Sequence, residues 1–426
     1  MIKTESTKKT TKELIIEAAF SFFDEDPKTK DFSLSELAAK VGITKPAIYR
    51  HFKNKDDIFV EMYRYFTDKF AYCLKTIQEA SDSATGKILT KEPLSELIRF
   101  FAENTSYINY MISMIFSKKN FEIEIAKEMQ NRGIKNLSDF RYKNDGTNEA
   151  TIVNIKDYVR SVFCGITFFM FIKMRQQNIK ENKKSTSSAD FAKKLVDFVF
   201  HGIKNATIQG DILYPTEISS ERKHELNEIC FIDEDVLPKE NKIFLAFAKV
   251  IKQYKFSGMT IERVADELNM AKSSLYEYFE NKNEMISSLI FRELNLMGSI
   301  AAENAKKARN FSEYIFIQLK TELYFFLRRP EVIMIFGWLL TSSMNVPSEN
   351  EFKNTNAWRE KLPEILERPD FGTELKSKHF MNWIGALPVA LVVQGYNHNV
   401  SSEDLEASLD VIFDYMEFGI QPNQFG

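Results

Sequence analysis

The stretch Ile43–Phe59, ITKPAIYRHFKNKDDIF, returns in altered form at Met270–Ile286, MAKSSLYEYFENKNEMI. Lys, Tyr, Phe and Asn-Lys keep their spacing across a separation of 227 residues. In the first copy Ser33 opens a helix, and Glu36 three residues on completes a capping box. Leu37, Ala38 and Val41 face inward, and Gly42 stands where left-handed backbone ends the helix. Thr44 is placed to cap the next helix. Pro46 falls in its first turn, where no intrahelical N–H bond is lost. Ile48 and Phe52, four apart, give this short helix a buried stripe. Lys45, Ala47, Tyr49, Arg50 and His51 are left on or near the open face, and Asn54 caps a further helix starting at Lys55. Two short helices joined by a tight turn, the second exposing a row of donors, make a helix-turn-helix. Its second helix fits a DNA major groove.

The chemistry of each residue gives it a role. Pro46 and Ala47 permit close approach and can touch a thymine methyl. Lys45 can donate to guanine O6/N7 or to phosphate. Tyr49 and His51 offer donors to phosphate, and Lys55 sits at a helix N-terminus that favours an anion. Such phosphate contacts position the reader without specifying sequence. In the second copy Thr260 opens the first helix, Leu275 and Phe279 form the stripe, and Asn281 with Glu284 makes a capping box before Lys282. Lys272, Ser273, Ser274, Tyr276 and Tyr278 are the exposed set. Two changes weaken this copy: Ala271 replaces Thr44 and cannot cap, and Glu277 replaces Arg50. Glu277 can accept from cytosine N4 or lie on the solvated side.

Outward from this segment the repeat widens. Leu14–Phe23 matches Lys242–Ile251 as a first helix, and Phe32–Phe59 then runs gap-free against Met259–Ile286 with six identities in 28 positions. Near the ends, Ser187–Gly202 carries Phe191, Leu195, Phe198 and Val199 at the offsets of Leu405, Leu409, Ile412 and Phe413 in Ser401–Met416. Each follows an apolar helix with a glycine, Gly165 or Gly385. Apolar residues recur at helical spacing almost throughout, so the expected class is all-α, one unit of about 200 residues used twice. The expected order is a helix-turn-helix domain over 1–58, a helical body over 59–204, a linker over 205–237, a second helix-turn-helix domain over 238–287 and a second body over 288–426. The linker holds Gly210 and Pro215 and could span about 105 Å when extended.

The bulk numbers bound the function. A net charge of -3 in 426 residues leaves any polyanion-binding surface local. Residues 1–55 carry eleven Lys/Arg against eight Asp/Glu, and 239–282 carry eight against six. Three widely spaced cysteines, Cys73, Cys164 and Cys230, suit a reducing compartment and not a zinc site or a disulfide framework. The first twenty residues contain no apolar h-region, and the longest apolar runs have eleven residues, too short to cross a bilayer. A cytoplasmic protein without a membrane partner is expected. There is no GxGxxG, no GKS/T, no nucleophile elbow and no ligand spacing among the five histidines. An enzyme is therefore not expected, nor a catalytic residue, cofactor or metal.

The run AAFSFF…FSLSELAAKVGITKPAIYRHFKNKDDIF resembles the N-terminal DNA-binding domain of TetR-family transcriptional regulators. The second copy is a looser match, with Asn269 at the turn glycine and Tyr278 at the histidine. The resemblance implies a helical ligand-binding body in each half and last helices that pair in a four-helix bundle across a twofold axis. It implies a regulator, commonly a repressor, that binds double-stranded DNA and is released by a small apolar effector. For this chain it implies an internal pseudo-dimer. Helices near Ile155–Arg175 and Ser188–Ile203 would pack on those near Phe380–Val393 and Glu403–Phe418, with Gly165 and Gly385 letting the backbones approach. The two unlike reading helices then imply an asymmetric operator of two different half-sites. The implied effector-lining residues are Phe101, Tyr107, Tyr110 and Phe116 in the first body, and Tyr324, Phe336 and Trp338 in the second. The same rings also suit a packed core. Two other readings stay open: a small-molecule sensor with a degenerate second head, and a chromosome-organising DNA binder. A further dimer of the whole chain is also open.

Overall fold

A computed structural model of the chain describes residues 9–25, 32–80, 91–117, 121–134, 142–143, 151–152, 155–180, 186–205, 217–233, 237, 242–254, 259–333, 377–397 and 399–420. Among these the first half runs α1 (Thr11–Glu25), α2 (Leu34–Val41), α3 (Lys45–Tyr49), α4 (Lys55–Ala80), α5 (Lys91–Glu103), α6 (Thr105–Ser117), α7 (Phe121–Asn131), α8 (Ile155–Lys180) and α9 (Ser188–Asn205). The second runs α10 (Ser220–Cys230), α11 (Lys242–Tyr254), α12 (Ile261–Glu267), α13 (Lys272–Tyr276), α14 (Lys282–Ala305), α15 (Phe311–Arg328), α16 (Ser377–Asn397) and α17 (Ser402–Phe418). Among the described residues the extended structure is an antiparallel ladder of two two-residue strands, β1 (Tyr142–Lys143) with β2 (Thr151–Ile152), between α7 and α8.

The described residues form two compact units, one from the first 139 residues and one from Phe140 onward. This boundary is not the midpoint of the repeat. α8 and α9 belong to the first half by sequence and to the second unit by packing. The reason lies in their faces. α8 packs on α16 and α17, and α9 packs on α17. Phe191, Leu195, Phe198 and Val199 of α9 are buried, as are Leu405, Leu409, Ile412 and Phe413 of α17. Trp383 of α16 is fully buried, its ring centroid 5.4 Å from Phe198, 5.8 Å from Phe171 and 6.2 Å from Phe163. Its indole N–H donates to Thr167 Oγ1 at 3.1 Å, and Tyr158 donates to the Leu391 carbonyl at 2.8 Å. The four-helix seam expected from the sequence is therefore present.

The glycines that close the seam are not the expected ones. Gly165 is exposed and a methyl there would meet open space. A Cβ on Gly385 would lie 3.4 Å from the carboxylate of Glu322, on α15 of its own half. The close approach falls instead at the ends of the last helices. A Cβ on Gly202 would lie 2.4 Å from the Gly419 nitrogen, and one on Gly419 would lie 2.3 Å from the Phe200 carbonyl. Both glycines have positive φ, 63° and 75°, with ψ near 180°, a region open to glycine alone. Ile420 N–H then donates to the Val199 carbonyl at 2.9 Å. The motifs His201-Gly202-Ile203 and Phe418-Gly419-Ile420 thus cross each other reciprocally.

Part of the span expected as linker is ordered structure. Ser219 caps α10, accepting from Arg222 N–H, and Leu226 and Cys230 are buried where the helix meets α15. Arg222 grips Glu313 with two nitrogens, at 3.1 and 2.8 Å, and the Lys307 carbonyl at 2.9 Å. That ion pair and its added hydrogen bond satisfy a buried carboxylate, and the pairing holds Glu313 below its usual range against the opposing effect of burial. α15 itself is buried along most of its length and carries a second pair, in which the buried Lys320 meets the half-exposed Asp410 at 2.9 Å. At its C-terminal end Arg329 meets Glu293 at 3.0 Å, both almost fully buried.

Candidate nucleic-acid interface

The first head is built from local rules. Ser33 accepts from Glu36 N–H at 3.1 Å and Glu36 accepts from Ser33 N–H at 2.8 Å, which closes the capping box. Those bonds hold the Glu36 carboxyl below its ordinary value. Gly42 ends α2 at φ 75°. Ile48 and Phe52 are buried, so α3 is pinned by one face. Lys45, Pro46, Tyr49, Arg50 and His51 are exposed and Ala47 is half-buried. Thr44 departs from expectation. It occupies the N-cap position with extended backbone, yet its side chain makes no cap hydrogen bond and stays exposed. Lys55 also differs. Its ammonium lies over the rings of Phe32 and Phe59, 5.0 and 5.9 Å from their centroids, and burial lowers its pKa.

The second head has the same skeleton. Thr260 caps α12 by accepting from Arg263 N–H at 3.3 Å, and Asn281 caps α14 by accepting from Glu284 N–H at 2.9 Å. The reciprocal bond of that second cap goes from Glu280 N–H to Glu284, one residue earlier than a capping box requires, as Lys53 N–H goes to Asp57 in the first head. Asn269 takes the turn at φ 53° in place of glycine, a conformation Asn tolerates better than most residues. Leu275 is buried and Phe279 half-buried. Lys272, Ser273, Tyr276, Glu277 and Tyr278 are exposed, and Ser274 is half-buried. Ala271 has the same extended N-cap backbone as Thr44. Since Thr44 forms no side-chain cap either, this substitution costs no hydrogen bond. Lys272 is held by an ion pair to Glu262 of α12 and lies 5.4 Å from the Tyr276 ring centroid. The Lys282 side chain falls outside the described residues.

Two helix-turn-helix heads with matching caps, turns and buried stripes now stand in one chain. The sequence matches the family of bacterial regulatory proteins of the tetR type at residues 15–62 and again at 243–289. The chain is a TetR-family protein, with two TetR-like units in tandem. It is also similar to a nucleoid occlusion factor, SlmA, of Pectobacterium carotovorum subsp. carotovorum strain PC1, 31% identical over 68 residues. That match covers 16% of this chain and 34% of the relative, so the chain spans about a third of that curated protein.

Among the described residues no helix is long and apolar enough to cross a membrane. The first TetR-like head is fastened to its body. Asn109 of α6 donates to the Phe23 carbonyl and to Asp24 Oδ1, both at 3.1 Å, and Thr105 donates to Asp24 at 2.8 Å. Tyr65 of α4 donates to Glu17 at 2.8 Å; burial and then this carboxylate push the phenol pKa up, so it stays a donor.

The aromatic residues implied for the effector are core in the positions described. Tyr107 and Tyr110 stand edge-on to Phe20 of α1, at 5.0 and 5.2 Å, and Phe101 packs on Phe70 at 5.7 Å. Burial pushes the Tyr107 hydroxyl up to about 12. In the second body Tyr324 is buried against Phe231, the residue that ends α10. The Phe116 side chain, Phe336 and Trp338 fall outside the described residues. Sequence reasoning missed Asp24, Asn109, Glu262, Gly202 and Gly419. The Gly-Ile pair shared by the C-terminal ends of α9 and α17 was the one legible signal among them.

Proposed function

We propose that this TetR-family DNA-binding regulator works as its own dimer and represses transcription from an asymmetric operator with two unlike half-sites. The supporting observation is the seam within one chain: α8 and α9 of the first half pack on α16 and α17 of the second. Homodimeric readers of this kind match palindromic sites because their recognition helices are identical. Here the first reading helix presents Lys45, Pro46, Ala47 and Arg50, whereas the second presents Ser273, Ser274, Tyr276 and Glu277. A selection on random duplex DNA with the full chain tests this. The expected result is two different half-sites in fixed order, and a symmetric consensus overturns it. Light scattering of the complex-free protein is expected at 49.6 kDa, and twice that mass favours a dimer of the tandem chain.

A small apolar effector is the proposed release signal. Its support is the contact of Tyr107 and Tyr110 with Phe20 of the first head. A ligand that displaces these rings moves α1, and a preference of a few kcal/mol for the displaced state suffices to shift the population. Operator affinity measured against a panel of apolar compounds checks it. A second reading, a chromosome-organising binder, is favoured by the similarity to a nucleoid occlusion factor. Genome-wide occupancy separates them: one or few promoters for a regulator, many dispersed sites for an organiser.

A further inference from the structure

The two reading helices differ in charge more than in shape. Residues 44–55 hold Lys45, Arg50, Lys53 and Lys55 with no acid, while 271–282 hold Lys272 and Lys282 with Glu277 and Glu280. The cation at the start of the second reading helix is moreover engaged. Lys272 pairs with Glu262 of the preceding helix and lies over its own helix's Tyr276 ring, 5.4 Å from the centroid. The Lys272 hydrogen bond, before any other cause, draws the Glu262 carboxyl down to about 2, so the acid stays charged at any physiological pH. At the position matching Glu262 the first head has Ser35, which offers no charge to Lys45.

We propose that Glu262 withholds Lys272 from the duplex, so that the second head reads through hydroxyl groups and shape while the first head supplies the charge. This rests on the two-headed reading above. A lysine that binds a phosphate from free solution releases a counterion, and each such contact adds about 0.9 to the salt slope. A lysine already neutralised by a carboxylate exchanges one anion for another and releases little. Opening the pair also leaves Glu262 charged beside the phosphates, where it repels them. The second head then depends on Ser273, Ser274, Tyr276 and Tyr278. The two half-sites carry unequal weight, which fixes the direction in which the chain sits on its operator.

The test is operator binding by the full chain across 50–200 mM salt, with thermal melting to confirm that each variant is folded. The variants are Lys45→Ala, Lys272→Ala, Glu262→Gln and the double variant Glu262→Gln/Lys272→Ala. The expected result is a large loss for Lys45→Ala and a much smaller one for Lys272→Ala, which leaves only the repulsion of the unpaired Glu262. Glu262→Gln tightens binding and steepens the slope by about 0.9, which enlarges the affinity loss over that range by about fourfold. The double variant loses this gain. Lys272→Ala weakening binding as much as Lys45→Ala overturns the proposal, since the pair would then open on DNA. So does an undiminished gain from Glu262→Gln in the Lys272→Ala background, which marks simple repulsion by the acid. Ser274→Glu is the arm that separates the two levels. If it has no effect, the second head is off the duplex and the two-headed reading falls with the proposal. If it weakens binding while Glu262→Gln does nothing, only the Glu262 role fails.

Discussion

The first head and the second share a skeleton and differ in what is attached to it. Both have a capped α2-type helix, a left-handed turn, a buried Ile48 or Leu275 and an Asn cap for the long helix that follows. Yet the first is tied to its body by Asp24 and Glu17, whereas the matching positions in the second are Lys252 and Leu245, both exposed. The first reading helix carries Lys45 and Arg50 with no acid on it, and the second carries Glu277 and has its Lys272 paired with Glu262. The difference teaches that the positions which make a helix-turn-helix fold and those which make it bind and respond are separable. Buried apolar sites and caps answer to the chain's own packing in both copies. Surface charge and the joints to the body are set by a partner, and in the second copy they have drifted to other chemistry.

The seam that joins the halves is where this contrast breaks most easily. Gly419→Ala or Gly202→Ala would force a Cβ into backbone and a strained φ, and should cost more than about 4 kcal/mol. Gly165→Ala, on an exposed helix face, should instead stabilise by up to about 1 kcal/mol. Urea unfolding of the three variants checks both signs. Trp383→Ala removes an indole seated among three phenylalanines of the other half and should cost about 3–5 kcal/mol. A loss confined to the second half, with the seam intact by hydrogen exchange at α8, would contradict its place as the anchor.

The joints give a smaller test. Asn109→Ala removes two of the three hydrogen bonds that α6 gives the last turn of α1 and should destabilise by about 1–3 kcal/mol. Lys252→Ala, at the site matching Asp24, should change stability by less than about 0.5 kcal/mol. Chemical denaturation of both measures the asymmetry directly. On DNA, Arg50→Ala should lose about 1–3 kcal/mol at one half-site only, while Glu277→Ala leaves affinity unchanged or slightly raised. Footprints on duplexes with one half-site scrambled report this, and equal losses at both half-sites would remove the distinction between heads. The smallest pair concerns caps. Ser33→Ala should cost about 1 kcal/mol and Thr44→Ala much less, because only Ser33 makes a cap bond in the structure. Melting temperatures of the two variants decide it.

The sequence by itself determined the helical class, the twofold repeat, the two helix-turn-helix heads and the apolar faces of α9 and α17. These are legible because they rest on interactions between residues a few positions apart: a cap and its N–H, a turn glycine, a stripe at every third or fourth place. The expected cap at Thr44 failed even so, since a side chain in position need not form its bond. Tertiary structure alone decided that Gly202 and Gly419, not Gly165 and Gly385, bring the backbones together. It alone placed a helix in the linker span, seated Trp383 against the opposite half and paired Lys272 with Glu262. Each of these joins residues whose spacing along the chain carries no period, and each depends on where separate helices come to rest once their apolar faces have been buried.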